Sequence, residues 1–316
     1  MSIVTLTLHP ALDKSTTTER IVPDHKLRCT ALRVDAGGGG LNVSKGIRKL
    51  DGHSTAVFPV GGINGRLLRE LIEKAGVDTR TLAVLSETRE SFSVTEEHSN
   101  YQYRFTVAGG EITEAQADQC LEMVKKLQPT WLVVSGSLPP GLPDDYFQKV
   151  ALLAKQMGAK LILDTSGPAL QAAAGEGVFL LKPNLIELSA LAGADHLEMN
   201  EVDDAALKII HEGKCEVVVA SLGAQGALLV TSDGFEHIPA PMVKKQTTVG
   251  AGDSMVAGMV WALEQGKPLR EMAQLGVACG TAATLGSGTE LFQAADAWRL
   301  FDWISSYGTR YRFTDF

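Results

Sequence analysis

Short runs that are apolar at nearly every position alternate along this chain with longer segments whose apolar residues recur at helical spacing. MSIVTLTLHP at the start, HSTAVFPV (53–60), WLVVSG (131–136), KLILD (160–164), VFLLKPN (178–184) and CEVVVAS (215–221) read as strands. GRLLRELIEKAG (65–76) reads as a helix closed by Gly76, TEAQADQCLEMVKKLQ (113–128) as one opened by Thr113, and DDYFQKVALLAKQMG (144–158) as one closed by Gly158. Another helix starts near Leu41, and from Thr247 onward the period is mostly helical, over 253–265, 269–285 and 294–306. Strands that are apolar throughout are covered on both faces. The expected fold is therefore α/β: a doubly wound sandwich around a mainly parallel sheet, built as one domain over residues 1–316.

Two regions break this rhythm. Residues 12–34 and 90–107 carry strand-like alternation and turn residues but no helical period, and the second suggests a hairpin around His98, Ser99 and Asn100. Both are read as insertions that form a small β-sheet outside the main layer, placed to cover a site as a lid. A sheet of this kind has free edges, and a second copy of the chain satisfies them most simply, so a homodimer joined through the lids is expected.

Composition narrows the function. The chain has 316 residues, 45% of them hydrophobic and 21% charged, which is ordinary for a globular protein. A net charge of −8 argues against a broad surface for nucleic acid or anionic membrane. Cys29, Cys120, Cys215 and Cys279 lie far apart without a CxxC pair, which fits reduced thiols in a cytoplasmic protein. The start has no basic n-region, and no apolar stretch approaches the roughly 20 residues of a membrane span. The seven histidines show no ligand-like spacing.

The glycines are the informative residues. A Walker A loop is missing, because Gly213-Lys214 precedes Cys215 and Gly266-Lys267 precedes Pro268, and neither GxGxxG nor GxSxG is found at the glycine-rich turns. What remains is glycine placed ahead of helices, in DAGGGGLNVSKGIRKL (35–50) and in TTVGAGDSM (247–255). Glycines let a ligand approach the backbone, and a helix N-terminus favours an anion or a hydroxyl-rich ligand. At the second site the amides of Ala251, Gly252 and Asp253 could face a transferring phosphoryl group, with the Asp253 carboxylate kept ionised by the positive helix end. Taken alone, a tight turn capped by Asp253 explains the same residues equally well.

Placed beside SGSLPPG (135–141), LKPNLIEL (181–188) and SLGAQGA (221–227), these elements resemble the ribokinase-like family of sugar kinases, also called the phosphofructokinase B family. The resemblance runs from TLTLHPALD (5–13) to GTAATLGSGT (280–289), and TVGAGDS is its most specific element. TLTLHPALD, KLRCT (26–30) and GGGGLNV look most like the minor 6-phosphofructokinase branch. Related fructose-1-phosphate and tagatose-6-phosphate kinases commonly carry a lysine where this chain has Gly39.

The resemblance implies a ribokinase-like sandwich with a β-lid and assigns roles to particular residues. Asp253 is the expected catalytic base, with Gly250, Ala251 and Gly252 as the anion hole. Asn184 and Glu187 are expected near magnesium and the phosphates, through water, with Lys182 just upstream. By themselves Asn184 and Glu187 read as an ordinary helix start. Ser221, Gly223 and Gly226 resemble the nucleotide-contacting strand and loop, otherwise an ordinary hairpin. Asp13, Gly38, Gly39, Asn42 and Ser137 match the sugar site.

Lys26 and Arg28 lie two apart in a strand-like run and so share a face; with Arg89 and Arg104 they are the candidate cations for a sugar phosphate. A potassium site made of the carbonyls of Thr247, Val249, Ala283, Gly286 and Gly288 is implied as well. The implied activity is the ATP- and magnesium-dependent phosphorylation of fructose 6-phosphate at its 1-hydroxyl, giving fructose 1,6-bisphosphate in glycolysis. The alternatives are a tagatose-6-phosphate kinase, a 1-phosphofructokinase, or a catalytically silent nucleotide-binding regulator of the same fold.

Overall fold

A computed structural model describes residues 2–175, 177–286 and 290–307 of the chain. The first half comprises β1 (Ile3–Leu6), β2 (Ala11–Thr18), β3 (Arg33–Gly37), α1 (Gly39–Lys49), β4 (Thr55–Val60), α2 (Gly62–Lys74), β5 (Asp78–Ala83), β6 (Arg89–Glu96), β7 (Gln102–Thr106), α3 (Glu114–Leu127), β8 (Trp131–Ser135) and α4 (Tyr146–Met157). The second half comprises β9 (Lys160–Asp164), α5 (Gly167–Ala173), β10 (Val178–Leu181), α6 (Leu185–Ala192), α7 (Val202–His211), β11 (Val217–Ser221), β12 (Ala227–Thr231), β13 (Gly234–Ile238), α8 (Ala251–Glu264), α9 (Leu269–Ala283) and α10 (Ala294–Tyr307).

Among the described residues the main sheet has nine strands in the order β13-β12-β11-β10-β9-β8-β1-β4-β5. It is parallel from β11 to β5, while β12 pairs antiparallel with both of its neighbours. Alternation within a strand explains its continuous apolar run. In β8, Leu132 and Val134 enter the core under α3 to α7, while Trp131 and Val133 enter the core under α1 and α8 to α10. Phe58, Leu68 and Ile72 form a third, smaller core between β4 and α2. Among the described residues no helix is long and apolar enough to cross a membrane.

Helix ends follow the local chemistry. Thr113 opens α3 with a capping box to Gln116, and Gly158 closes α4 in the left-handed conformation, φ 68°. Two elements escape the pattern. β5 (DTRTLA) is an edge strand too polar to read as buried, and the antiparallel pair β11–β12 is the hairpin that was the plain alternative at 221–226.

The lid is a separate sheet, ordered β3-β2-β6-β7, with β2 and β6 parallel. Its inner face is polar: Asp13, Ser91 and Thr106 lie in one cross-strand row, and Ser93 and Arg104 in the next. On the outer face Phe92 pairs with Phe105, the rings 6.4 Å apart, and Val94 pairs with Tyr103. The expected strand through Lys26 and Arg28 does not form. With no neighbour to extend a ladder, residues 19–32 run as a loop tied to the sheet at the bridge between Thr18 and Cys29, where Thr18 Oγ1 donates to Arg28 O at 3.1 Å. Ile21 N–H ties it as well, donating to Glu96 Oε1 at 2.7 Å.

Candidate active site

The first turn of α8 bears on whether Asp253 is a helix cap. The residue at the cap position is Gly250, whose φ of 72° suits glycine, and the helix has no side-chain cap. Asp253 sits three residues in and turns away from the helix amides: Asn42 Nδ2 donates to its Oδ2 at 2.8 Å, and Ser135 Oγ lies 3.4 Å from its Oδ1, as it does from Asp164 Oδ2. The capping explanation therefore fails. Ala251 N–H is drawn back onto Thr248 O at 3.4 Å, so Gly252 and Asp253 supply the better-placed free amides of the turn. Lys182 lies beneath them; a Cβ built on Gly252 would stand 3.6 Å from its Nζ.

Asp253 was expected to be kept ionised by the helix end; burial, and then the nearby Asp164 charge, push its carboxyl up to about 6. Asn42, Lys182 and Lys45 pull in the opposite direction without prevailing. The group is still mostly ionised at neutral pH, and a carboxylate with a pKa near the working pH suits a general base. Lys182 is buried and pairs with Asp164 Oδ1 at 3.1 Å. Asp13 is likewise pushed up to about 6 by burial, against the pull of Lys45 and Arg89. Lys45, one helical turn beyond Asn42, donates to Ala36 O immediately before the glycines.

Asp13, Asn42, Ser135, Asp164 and Asp253 converge on a cleft of 470 Å³ between the lid and the C-terminal ends of the strands, the usual place for a ligand in such a sheet. Of the expected residues, Asp13, Gly38, Gly39, Asn42, Arg89, Arg104, Ser137, Glu187, Val249 and Asp253 line it. Lys26 and Arg28 do not: both are exposed in the loop 19–32. Gly39 is held bare by packing, since a Cβ there would lie 2.2 Å from Ser135 Oγ. Arg89 Nη2 donates to His9 O at 3.3 Å, and its buried Nε has no partner. That donor lacks the acceptor a bound anion would give.

A second cleft, also of 470 Å³ and mostly apolar, is lined by Ile186 and Met199 together with Asn184, Ser221 and Gly223. Gly226 is not part of its wall. Its φ of 98° and a Cβ position 2.0 Å from Ile238 O make it a structural glycine of the hairpin. Asn184 and Glu187 stand between the two clefts and form a complete capping box at the start of α6. Asn184 N–H donates to Glu187 Oε2 at 2.8 Å and Glu187 N–H to Asn184 Oδ1 at 2.9 Å. The cap and the site coexist, because Glu187 keeps its second oxygen for the cleft and burial pushes its carboxyl above the usual range.

Among the described residues no group of three or more His, Cys, Asp or Glu could enclose an ion. A divalent ion at Asn184 and Glu187 would therefore complete its shell with water and phosphate. Of the carbonyls expected to hold a monovalent ion, that of Ala283 lies 3.8 Å from where a Cβ on Gly286 would stand, beside those of Glu290 and Leu291 at 3.7 Å. Gly288 lies outside the described residues.

Ser135 and Asp164 line the cleft though the motifs did not single them out, and Lys45 and His9 hold Ala36 and Ser137 beside it. Ser135 and Asp164 end β8 and β9, so the rule that ligands sit at the carboxyl ends of parallel strands could have found them. Lys45 sits inside a helical period and His9 in the connection between β1 and β2, and neither carries a local signal.

The family model described as pfkB family carbohydrate kinase matches residues 11–295. Over 305 residues the chain is 44% identical to the ATP-dependent 6-phosphofructokinase isozyme 2 of Mycobacterium tuberculosis, covering 95% of this chain and 89% of that protein. It is 31% identical to the 1-phosphofructokinase of Bacillus subtilis, over 92% and 95% of the two chains. Phosphofructokinase-2 from Escherichia coli in complex with potassium superimposes with a TM-score of 0.92 at 42% identity, covering 96% and 99%. The same enzyme in complex with fructose-6-phosphate gives a TM-score of 0.91 at 41% identity, with the same coverage.

Proposed function

The chain belongs to the pfkB family of carbohydrate kinases, and from that premise we propose that it is an ATP-dependent 6-phosphofructokinase that phosphorylates the 1-hydroxyl of fructose 6-phosphate. The observation that carries this reading is Asp253, free of the helix cap and held by Asn42 and Ser135 at the mouth of α8. Asp253 accepts the hydroxyl proton, and the amides of Gly252 and Asp253 face the group in transit while Lys182 adds positive charge below them. Asp13 orients the sugar, and Arg89 and Arg104 receive its phosphate from the lid.

The nucleotide lies along the second cleft, its base against Ile186 and Met199, so that its phosphates reach Asn184 and Glu187. Magnesium, held there through water, would neutralise phosphate charge. Potassium would occupy the carbonyl cradle beside Gly286. The protein works in the cytoplasm.

An assay of ATP turnover with fructose 6-phosphate, tagatose 6-phosphate and fructose 1-phosphate tests the reading. Fructose 6-phosphate is expected to give the highest kcat/KM, with more activity in potassium than in sodium. No turnover with any sugar would leave the silent regulator, and a preference for another sugar would reassign the substrate.

The protein acts as a homodimer through the outer face of the lid. Tyr101, Tyr103, Phe105 and Val107 alternate along one edge and are 68%, 38%, 56% and 59% exposed, an apolar stripe that a second copy would cover. The apolar face, rather than the free edge alone, supports the association. Phe105→Asp is expected to yield monomers in sedimentation. A wild-type monomer at micromolar concentration with full activity would remove the idea.

A further inference from the structure

His9 lies between β1 and β2, behind Ser137 of the cleft wall, and the reaction outlined above gives its side chain no part. Its ring joins two loops: Nε2 is 2.9 Å from Ala108 O and Nδ1 is 3.1 Å from Ser137 Oγ. Its own carbonyl accepts from Arg89 Nη2 at 3.3 Å. The cluster is closely packed, because a Cβ on Gly109, φ 81°, would stand 2.9 Å from Arg89 Cβ and 3.2 Å from His9 Nε2.

The proton positions follow from chemistry. A carbonyl only accepts, so Nε2 carries the hydrogen. Burial, and then the Arg89 charge, push the imidazole down to about 4, so the ring stays neutral and Nδ1 holds only a lone pair. The Ser137 hydroxyl must therefore donate to Nδ1, and its oxygen, which lines the cleft, is left as an acceptor.

We propose that His9 is a positioning residue for substrate recognition, committing the Ser137 proton so that Ser137 accepts a hydrogen bond from one hydroxyl of the phosphosugar, while its carbonyl steadies Arg89. The proposal rests on the phosphosugar-kinase reading. A committed acceptor rejects an analogue whose hydroxyl is missing, because Ser137 would then be left unpaired.

Steady-state kinetics on three variants test this. His9→Asn places an amide oxygen where Nδ1 stood but falls short of Ala108. His9→Gln reaches towards Ala108 with carbon at the δ position. His9→Ala and His9→Gln are expected to raise KM for fructose 6-phosphate about 3- to 10-fold, the size of one neutral hydrogen bond, with KM for ATP unchanged. His9→Asn should restore the wild-type value, and Ser137→Ala should add nothing in the His9→Ala background. Unchanged KM in His9→Ala, rescue by Gln but not Asn, or multiplicative effects of His9→Ala and Ser137→Ala would each overturn the proposal. Failure of the functional reading shows separately, as a wild-type protein that does not phosphorylate fructose 6-phosphate.

Discussion

Asp253→Asn is expected to lower kcat on the order of 10²- to 10⁴-fold while the protein stays folded and binds both substrates. The amide keeps the shape of the carboxylate, and its oxygen can still accept from Asn42 Nδ2. No cap is lost, because the carboxylate caps nothing. Stability should not fall either, since burial already disfavours the charge that the substitution removes. What disappears is the proton acceptor. A folded variant that retains more than about a tenth of wild-type turnover would refute the assignment, being too small a loss for a general base.

The same residue sets the acid limb of the rate. A base works only when ionised, and burial together with Asp164 raises the Asp253 carboxyl to about 6, against Asn42, Lys182 and Lys45. Activity is therefore lost as pH falls through about 6 and is insensitive to this group well above it. The kcat profile at saturating substrate is the measurement to make, because the free phosphosugar has a phosphate that also titrates near 6. The residual rate of Asp253→Asn should lack this limb. A wild-type kcat that is flat down to pH 5 would place the base elsewhere.

The middle of the sheet was legible because its strands are apolar at nearly every position, a pattern two-sided burial produces, as Trp131 to Val134 illustrate by feeding alternate cores. The polar edge strand β5 was not. The lid was legible from its alternation. Its loop was not, since Lys26 and Arg28 alternate with apolar residues yet have no neighbouring strand to complete a ladder. Asp253 could be suspected but not decided from sequence. A cap and a base ask for the same residue in the same turn, and only the direction of the carboxylate, towards Asn42 and Ser135 from 211 and 118 residues away, separates them. His9 and Lys45 were invisible for a related reason. Each acts through a partner distant in sequence or through a single carbonyl, and nothing in the flanking residues records it.

Arg89→Ala should raise KM for fructose 6-phosphate about 10- to 150-fold, the loss of a charge-assisted contact worth roughly 1.5–3 kcal/mol. KM for ATP should change far less, because Arg89 belongs to the lid cleft and the apolar cleft at Ile186 and Met199 is lined by other residues. The guanidinium is already positioned: Nη2 is fixed on His9 O, and Nε is buried without an acceptor. Burial lowers its pKa, yet an arginine remains charged in any working buffer. A dianionic phosphate would satisfy the orphaned Nε and leave the lid closed over the sugar. Arg89→Lys should fall between the two, since an ammonium restores the charge without the planar fork. If both Michaelis constants rise together the substitution has damaged the lid as a whole, and if neither moves the phosphate is held elsewhere.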